Sequence, residues 1–238
     1  MSYPVAILER EVIANNTIAL KLSRPEGFEF LAGQNIDVTV EDPRYIDPND
    51  NSRIFSIASA PYEDHILIAA RLRDNPYKNA LNELPIGSEL YIEGPFGTFR
   101  LHDDVTIPAV FIAGGIGITP CLSILRQAVF ENSKRSFCLF YSNRTREDAT
   151  YLDELRSMRK TLPNYNFIPT LTRNGNRSAE SGYENGRITS EMLNKYISDL
   201  NSPLYYVVGK SQMVWGLIQN LDGSIDRSRY LVEDFVGF

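Results

Sequence analysis

The chain has 238 residues, 43% hydrophobic and 23% charged, with a net charge of −6; that length suits one large domain or two small ones, and the acidity argues against nucleic acid as the main partner. Its two cysteines, Cys121 and Cys138, give no disulfide framework and too few thiolates for an iron–sulfur cluster. No apolar run approaches the roughly 20 residues of a membrane span, and Met1-Ser2-Tyr3-Pro4 lacks the basic and apolar regions of a secretory signal, so a cytoplasmic protein is expected.

The first hundred residues read as β-strands. Ile18, Leu20 and Leu22 alternate with Ala19 and Lys21, and Ile36, Val38 and Val40 alternate with Asp37 and Thr39. Ile66, Ile68, Ala70 and Leu72 form a third set, and Leu90 and Ile92 end a fourth before Gly94-Pro95. Period-two patterning broken by Gly, Pro and Asn predicts a small antiparallel β-barrel. The pattern changes near His102–Thr106. Ala109–Ala113 is a continuous apolar run, the mark of a strand buried on both faces, and a helix follows with Leu122, Leu125 and Val129 on one side. Strands are then expected at 137–142, 166–171, 204–208 and 229–233, and helices at 147–160, 190–200 and 211–221. Thr145 and Asp148 resemble a capping box for the first of these helices. Alternating β and α units predict a doubly wound parallel sheet, so the expected domains are a barrel over 1–103 and an α/β domain over 104–238. Arg173–Gly186 reads as a loop inside the second domain, and His65 and His102 as barrel-loop residues. The sequence holds no metal-ligand cluster.

Three motifs carry chemistry. Arg53-Ile54-Phe55-Ser56 sits on a barrel strand, where an arginine can pair with a diphosphate and the aromatic two residues later projects to the same side. The alternative is an ordinary strand with a surface Arg and a core Phe. Gly114-Gly115-Ile116-Gly117-Ile118-Thr119-Pro120 follows a buried strand and opens a helix, the context in which glycines let the backbone approach a pyrophosphate; a plain tight turn is the alternative. Gly94-Pro95-Phe96-Gly97 closes the barrel.

In this order and at these separations the motifs resemble the ferredoxin–NADP reductase superfamily over essentially the whole chain. That family carries Arg-x-Tyr-Ser on a flavin-binding barrel, then Gly-Pro-x-Gly, then Gly-Gly-x-Gly-x-x-Pro opening a nucleotide domain, a Cys-Gly-Pro-Pro-like loop and a terminal aromatic. Here these read Arg53–Ser56, Gly94–Gly97, Gly114–Pro120, Val208–Met213 and Asp234–Phe238. The resemblance implies an FAD-dependent oxidoreductase that moves hydride between NADP(H) or NAD(H) and FAD, then electrons to or from ferredoxin or flavodoxin. Reduction of free flavin and service as a subunit of a larger complex are the alternatives.

By the same resemblance Arg53 contacts the FAD pyrophosphate, Phe55 packs on the isoalloxazine, and Ser56 hydrogen-bonds near N5, with Ile54 between them on the strand. Ala70, Arg71 and Leu72 hold the flavin's polar edge through their backbone, and Lys78, Asn79 and Ala80 make the second phosphate contact. Gly114, Gly115, Gly117 and Pro120 shape the nucleotide turn, Thr119 lies between flavin and nicotinamide, and Gly209 and Met213 line the nicotinamide side. Thr172 and Arg173, with Arg144 and Arg177 nearby and no acidic residue in that place, favour NADP(H) over NAD(H). Phe238 either stacks on the flavin or packs with Phe235 against the sheet. Two departures stand out. The family's Tyr is Phe55, which keeps the ring and loses the hydroxyl, and its Cys-Gly-Pro-Pro is Val208-Gly209-Lys210-Ser211. An acidic ferredoxin docking on this acidic chain requires a local basic patch, for which Arg71, Arg73 and Lys78 are the candidates.

Overall fold

The computed structural model describes residues 2–42, 51–173 and 182–235. The chain divides into two units, one of residues 1–100 with Thr119–Gln127, the other of Leu101–Ile118 with residues 128–238. The contiguous division expected at 103/104 differs from this at two places. Leu101–Asp103 belong to the second unit, and a stretch of the first long helix groups with the first, where the Ser123 hydroxyl donates to the Ser59 carbonyl at 2.6 Å.

The first unit is an antiparallel sheet of β1 (Ser2–Ala14), β2 (Thr17–Ser23), β3 (Asn35–Thr39), β4 (Ser52–Ser56), β5 (His65–Arg71) and β6 (Glu89–Phe96), in the order β4-β3-β6-β1-β2-β5. The Ala58 N–H donates to Leu67 O at 2.7 Å and the Leu67 N–H to Ser59 Oγ at 3.0 Å, so the chain leaving β4 meets β5 and the sheet closes. Ile18, Leu20, Leu22, Ile36, Val38, Ile66, Ile68, Leu90 and Ile92 fill its interior. Each such side chain contributes roughly 1.5–3 kcal/mol through burial. The strand β1 was not anticipated. Only Val5 and Ile7 point into the core, while Leu8 and Val12 are exposed, so the long arm shows no sustained alternation. One helix, α1 (Pro76–Glu83), is set by Pro76 in its first turn and by Asn75, whose Oδ1 accepts from the Lys78 N–H at 3.2 Å. Arg10 reaches its other end and donates to Leu81 O at 3.0 Å.

The second unit is a six-stranded sheet, parallel throughout, of β7 (Ala109–Gly114), β8 (Phe137–Asn143), β9 (Tyr165–Leu171), β10 (Glu184–Asn185), β11 (Leu204–Lys210) and β12 (Tyr230–Phe235), ordered β10-β9-β8-β7-β11-β12. The helices along this part of the chain are α2 (Ile118–Phe130), most of which groups with the first unit, α3 (Leu152–Ser157), α4 (Ser190–Asn194) and α5 (Ser211–Asn220). Val110, Ile112, Phe140 and Val207 pack against Met192 and Leu193 of α4 and Val214 and Leu217 of α5. Phe111, Phe137 and Tyr206 pack ring to ring on the opposite face. The helix expected over 147–160 is broken. The extended Ala149 ends the 3₁₀ turn at Arg146–Asp148, and Tyr151, at a left-handed φ of 57°, restarts the chain as the short α3. Thr145 makes no backbone cap and instead donates to Asp148 Oδ2 at 3.4 Å. The helix expected over 190–200 shortens to α4, and the two-residue β10 inside the expected loop was missed.

His102 is not a barrel-loop residue. Its backbone N–H and its Nδ1 both meet Tyr206 Oη, at 2.9 and 2.7 Å, on the second unit's sheet. Arg135, 4% exposed, donates to His102 O at 2.7 Å, Asp104 O at 2.7 Å and Ile107 O at 3.0 Å and lies against His102 Nε2. One guanidinium therefore satisfies the carbonyls of the segment leading into β7. His65, the other histidine, is the first residue of β5 and pairs with Asp64 at 3.0 Å. Arg135→Met should cost about 2–4 kcal/mol, because it removes hydrogen bonds to several partly buried carbonyls at once. Thermal unfolding against the parent checks this, with Arg135→Lys intermediate.

Candidate functional site

On β4 the side chains alternate as the motif requires. Arg53 and Phe55 share one face, since the Arg53 guanidinium lies 5.2 Å from the Tyr77 ring centre and Phe55 stacks on the same ring at 6.3 Å. Ile54, on the other face, is 61% exposed. Phe55 is only 4% exposed and belongs to the barrel core, with the Lys78 ammonium 4.5 Å over its ring. Tyr77 and Lys78 thus lie against the Phe55 ring. Ser56 is 5% exposed, and its Oγ is buried with no hydrogen-bond partner among the described residues. A buried hydroxyl without a partner costs free energy unless another molecule satisfies it.

Arg53, Lys78 and Arg73 form a cationic group around the Phe55–Tyr77 pair. Burial first, then the Arg53 and Arg73 guanidiniums, pull the Lys78 ammonium down from 10.5 to about 8. Such a field favours an anion. Asn79 and Ala80 follow Lys78 within α1, whose N-terminal end favours negative charge; the Lys78 N–H itself is already taken by Asn75. Along β5, Leu67 turns its backbone groups away from β2, toward Ala58 and Ser59, and the Leu72 N–H donates to Asn16 O at 2.7 Å. Antiparallel strands alternate in this respect. Arg71 therefore directs its backbone away from β2, whereas Ala70 and Leu72 direct theirs toward it, and of the three only Arg71 is placed to hold a ligand through its main chain.

In the second unit the strand order reverses direction between β7 and β11, with β8 and β9 on one side and β12 on the other. In open α/β sheets ligands bind outside the carboxyl ends of the strands at such a switch point. Gly114–Gly117 ends β7 there. A Cβ on Gly117 would lie 2.9 Å from Val208 O and 3.0 Å from Gly209 Cα, so a larger residue would push β7 and β11 apart. Gly115 has a φ of +55° with open space where a Cβ would be, a turn that leaves room for a ligand beside the backbone. Met213 packs against both Gly114 and Gly209. Thr119 and Pro120 are buried in the first turn of α2.

The carboxyl ends of β8 and β9 bring the two arginines together. The Arg173 N–H donates to Arg144 O at 3.0 Å, both side chains are exposed, and Thr172 donates from N and Oγ1 to Asn143 O at 2.9 and 3.2 Å. Arg177 and Phe238 lie outside the described residues, while Phe235 ends β12 in register with Lys210. Sequence reasoning missed Tyr77, which gathers the cations, and Asn143, a buried amide at a strand end. Tyr77 carried a signal, lying between Pro76 and the basic Lys78 at a helix start; Asn143 carried none. Among the described residues no cluster of three or more His, Cys, Asp or Glu side chains is placed to hold a metal ion, and no helix is long and apolar enough to cross a membrane.

A closed antiparallel barrel with a cation group, followed by a parallel sheet with a glycine turn at its switch point, makes up the architecture of the described residues. Residues 111–217 match the family of oxidoreductase NAD-binding domains. The chain is 27% identical over 245 residues to the reductase component of propane 2-monooxygenase from Mycolicibacterium goodii, covering 98% of this chain and 68% of that protein. It is 29% identical to the glycine betaine monooxygenase reductase subunit of Pseudomonas aeruginosa, covering 92% of this chain and 60% of that one. A ferredoxin–NADP+ reductase from Neisseria gonorrhoeae, solved with bound FAD and NADP, superposes with a TM-score of 0.81 at 21% identity, over 100% of this chain and 99% of that one. The likeness to that reductase is one of fold. It spans 58 to 68% of the length of several curated relatives.

An anion beside Lys78 would stabilise the ammonium form and raise its pKa, so binding takes up a proton above about 8. Affinity for inorganic pyrophosphate should accordingly fall as pH rises from about 7 to about 9.5, and Lys78→Met should flatten that profile. Calorimetric titration of parent and variant across this range measures both.

Proposed function

We propose that this chain is an NADP(H)-dependent FAD reductase that delivers electrons to a separate protein acceptor. The buried, unpartnered Ser56 hydroxyl at the end of the Arg53–Ser56 strand carries the reading, because it is a preformed donor awaiting a ligand atom. Arg53 and Lys78 bind and orient the FAD pyrophosphate, Arg71 offers its outward backbone to the flavin's polar edge, and Ser56 donates to the flavin at N5. When bound, FAD supplies an acceptor of hydride that can release its electrons one at a time. Gly115 and Gly117 admit the nucleotide pyrophosphate at the start of α2, Gly209 and Met213 bound the nicotinamide side, and Thr119 orients it. Arg144 and Arg173 pair with the 2′-phosphate, which favours NADPH over NADH. The similarity to reductase components of oxygenases supports an acceptor within an oxygenase system, either a ferredoxin-like carrier or the oxygenase itself. Reduction of free flavin has no comparable support.

The purified protein should be yellow and release FAD, not FMN, on denaturation, as chromatography of the released cofactor will tell. Arg53→Ala should retain FAD poorly. Ser56→Ala should retain it and slow flavin reduction by NADPH roughly tenfold in stopped-flow mixing. A Ser56→Ala rate equal to the parent's excludes the N5 role. Nucleotide preference is tested separately. Arg144→Ala with Arg173→Ala should raise the KM for NADPH by about five- to a hundredfold, the worth of a partly solvated charge-assisted contact, and leave that for NADH nearly unchanged. Equal losses for the two nucleotides would mean that these arginines are ordinary surface charges.

A further inference from the structure

Asn143 is the last residue of β8 and sits at the carboxyl edge of the second unit's sheet, one position before Arg144. It is 6% exposed, and its Oδ1 is buried with no hydrogen-bond partner among the described residues. Its backbone carbonyl, by contrast, accepts from both the N–H and the hydroxyl of Thr172. The main chain is fixed and satisfied; the side-chain acceptor is not. The flanking strands β7 and β9 end instead on Gly114 and Leu171. A polar amide held inside without a partner is costly, and in native structures such a group usually answers to a ligand or an ordered water.

We infer that Asn143 is a positioning residue for the adenosine ribose of the nicotinamide nucleotide, accepting a hydrogen bond from its 3′-hydroxyl. This rests on the proposed nucleotide-binding reading of the second unit. The unmet atom is an acceptor, so it disfavours phosphate oxygens and calls for a donor. The nucleotide's donors are its ribose hydroxyls, the adenine amino group and the nicotinamide amide. Arg144 and Arg173, adjacent to Asn143 and tied to each other through the backbone, are the groups suited to a 2′-phosphate. The donor next to that phosphate on the same sugar is the 3′-hydroxyl. The adenine amino group lies across the base from the sugar, and the amide at the far end of the dinucleotide. Asn143 then reads a feature shared by NADPH and NADH, while the arginines read the one that distinguishes them.

The test uses the full-length protein and two adenosine ligands that differ by one oxygen, ADP and 3′-deoxy-ADP, with binding followed by calorimetry. The parent should bind ADP about five- to tenfold more tightly than its 3′-deoxy analogue, the worth of one neutral hydrogen bond. Asn143→Ala should bind the two equally, having lost affinity for ADP alone. Should the alanine variant not fold, the near-isosteric Asn143→Leu carries the same comparison, and the parent's own discrimination stands without any variant. A parent that does not distinguish the ligands overturns the assignment, as does a variant that keeps the discrimination or weakens both ligands by the same factor. Loss of the preference for 2′,5′-ADP over ADP in the Arg144→Ala, Arg173→Ala protein, with the 3′-hydroxyl effect intact, separates the two contacts. A parent that binds none of these adenosine ligands overturns the nucleotide reading itself.

Discussion

The second unit depends on one close approach. At Gly117 the chain passes within about van der Waals distance of the β11 backbone, and a single Cβ there would lie 2.9 Å from Val208 O. That contact lets β7 run beside β11 and still turn over its end into α2. Adjacent to it, Gly115 takes a left-handed φ and leaves its outer side open, and Met213 closes against Gly114 and Gly209. Gly114, Gly117, Gly209 and Met213 are thus packed together by sterics, with no charge involved. The surface left at the switch point is backbone, concave and at the N-terminal end of α2, the combination that suits an anionic dinucleotide.

The barrel solves a different problem, that of holding like charges together. Arg53 and Lys78 lie over the rings of Tyr77 and Phe55, and Tyr77 is itself anchored by its hydroxyl donating to Val38 O at 2.7 Å. Cation–π contacts offset part of the mutual repulsion. Burial first, and then the Arg53 and Arg73 guanidiniums, hold the Lys78 ammonium well below its ordinary range. Strongly perturbed titrating groups cluster where ligands bind. Arg53 on β4 and Arg73 just beyond β5 both act on Lys78, although they come from separate turns of the sequence.

Most of the fold was legible because its strands obey strict rules. Period two betrayed β2, β3, β5 and β6, and the continuous apolar run betrayed β7. The failures share a cause. The strand β1 extends past the core, so half of its residues face solvent on both sides and carry no alternation. The expected 147–160 helix has suitable composition throughout, yet Tyr151 turns left-handed where its neighbours Thr150 and Tyr141 bond to each other. Local propensity has no knowledge of that tertiary contact. His102 was placed in the barrel for the same reason: nothing near it in sequence reveals Tyr206, 104 positions away.

The sequence by itself determined the order of the two units and the β4 and β7–α2 motifs, because glycine, proline and hydrophobic period act over a few neighbouring residues. Only the tertiary structure decided which of the motif residues face a ligand. It put Phe55 in the core and left Ser56 without a partner, turned the Arg71 backbone outward and that of Ala70 inward, and set Arg144 beside Arg173. It also made Asn143 an unmet acceptor, a property no single residue possesses. Burial and hydrogen-bond satisfaction are sums over everything that surrounds an atom, and those surroundings are assembled from strands far apart in the chain.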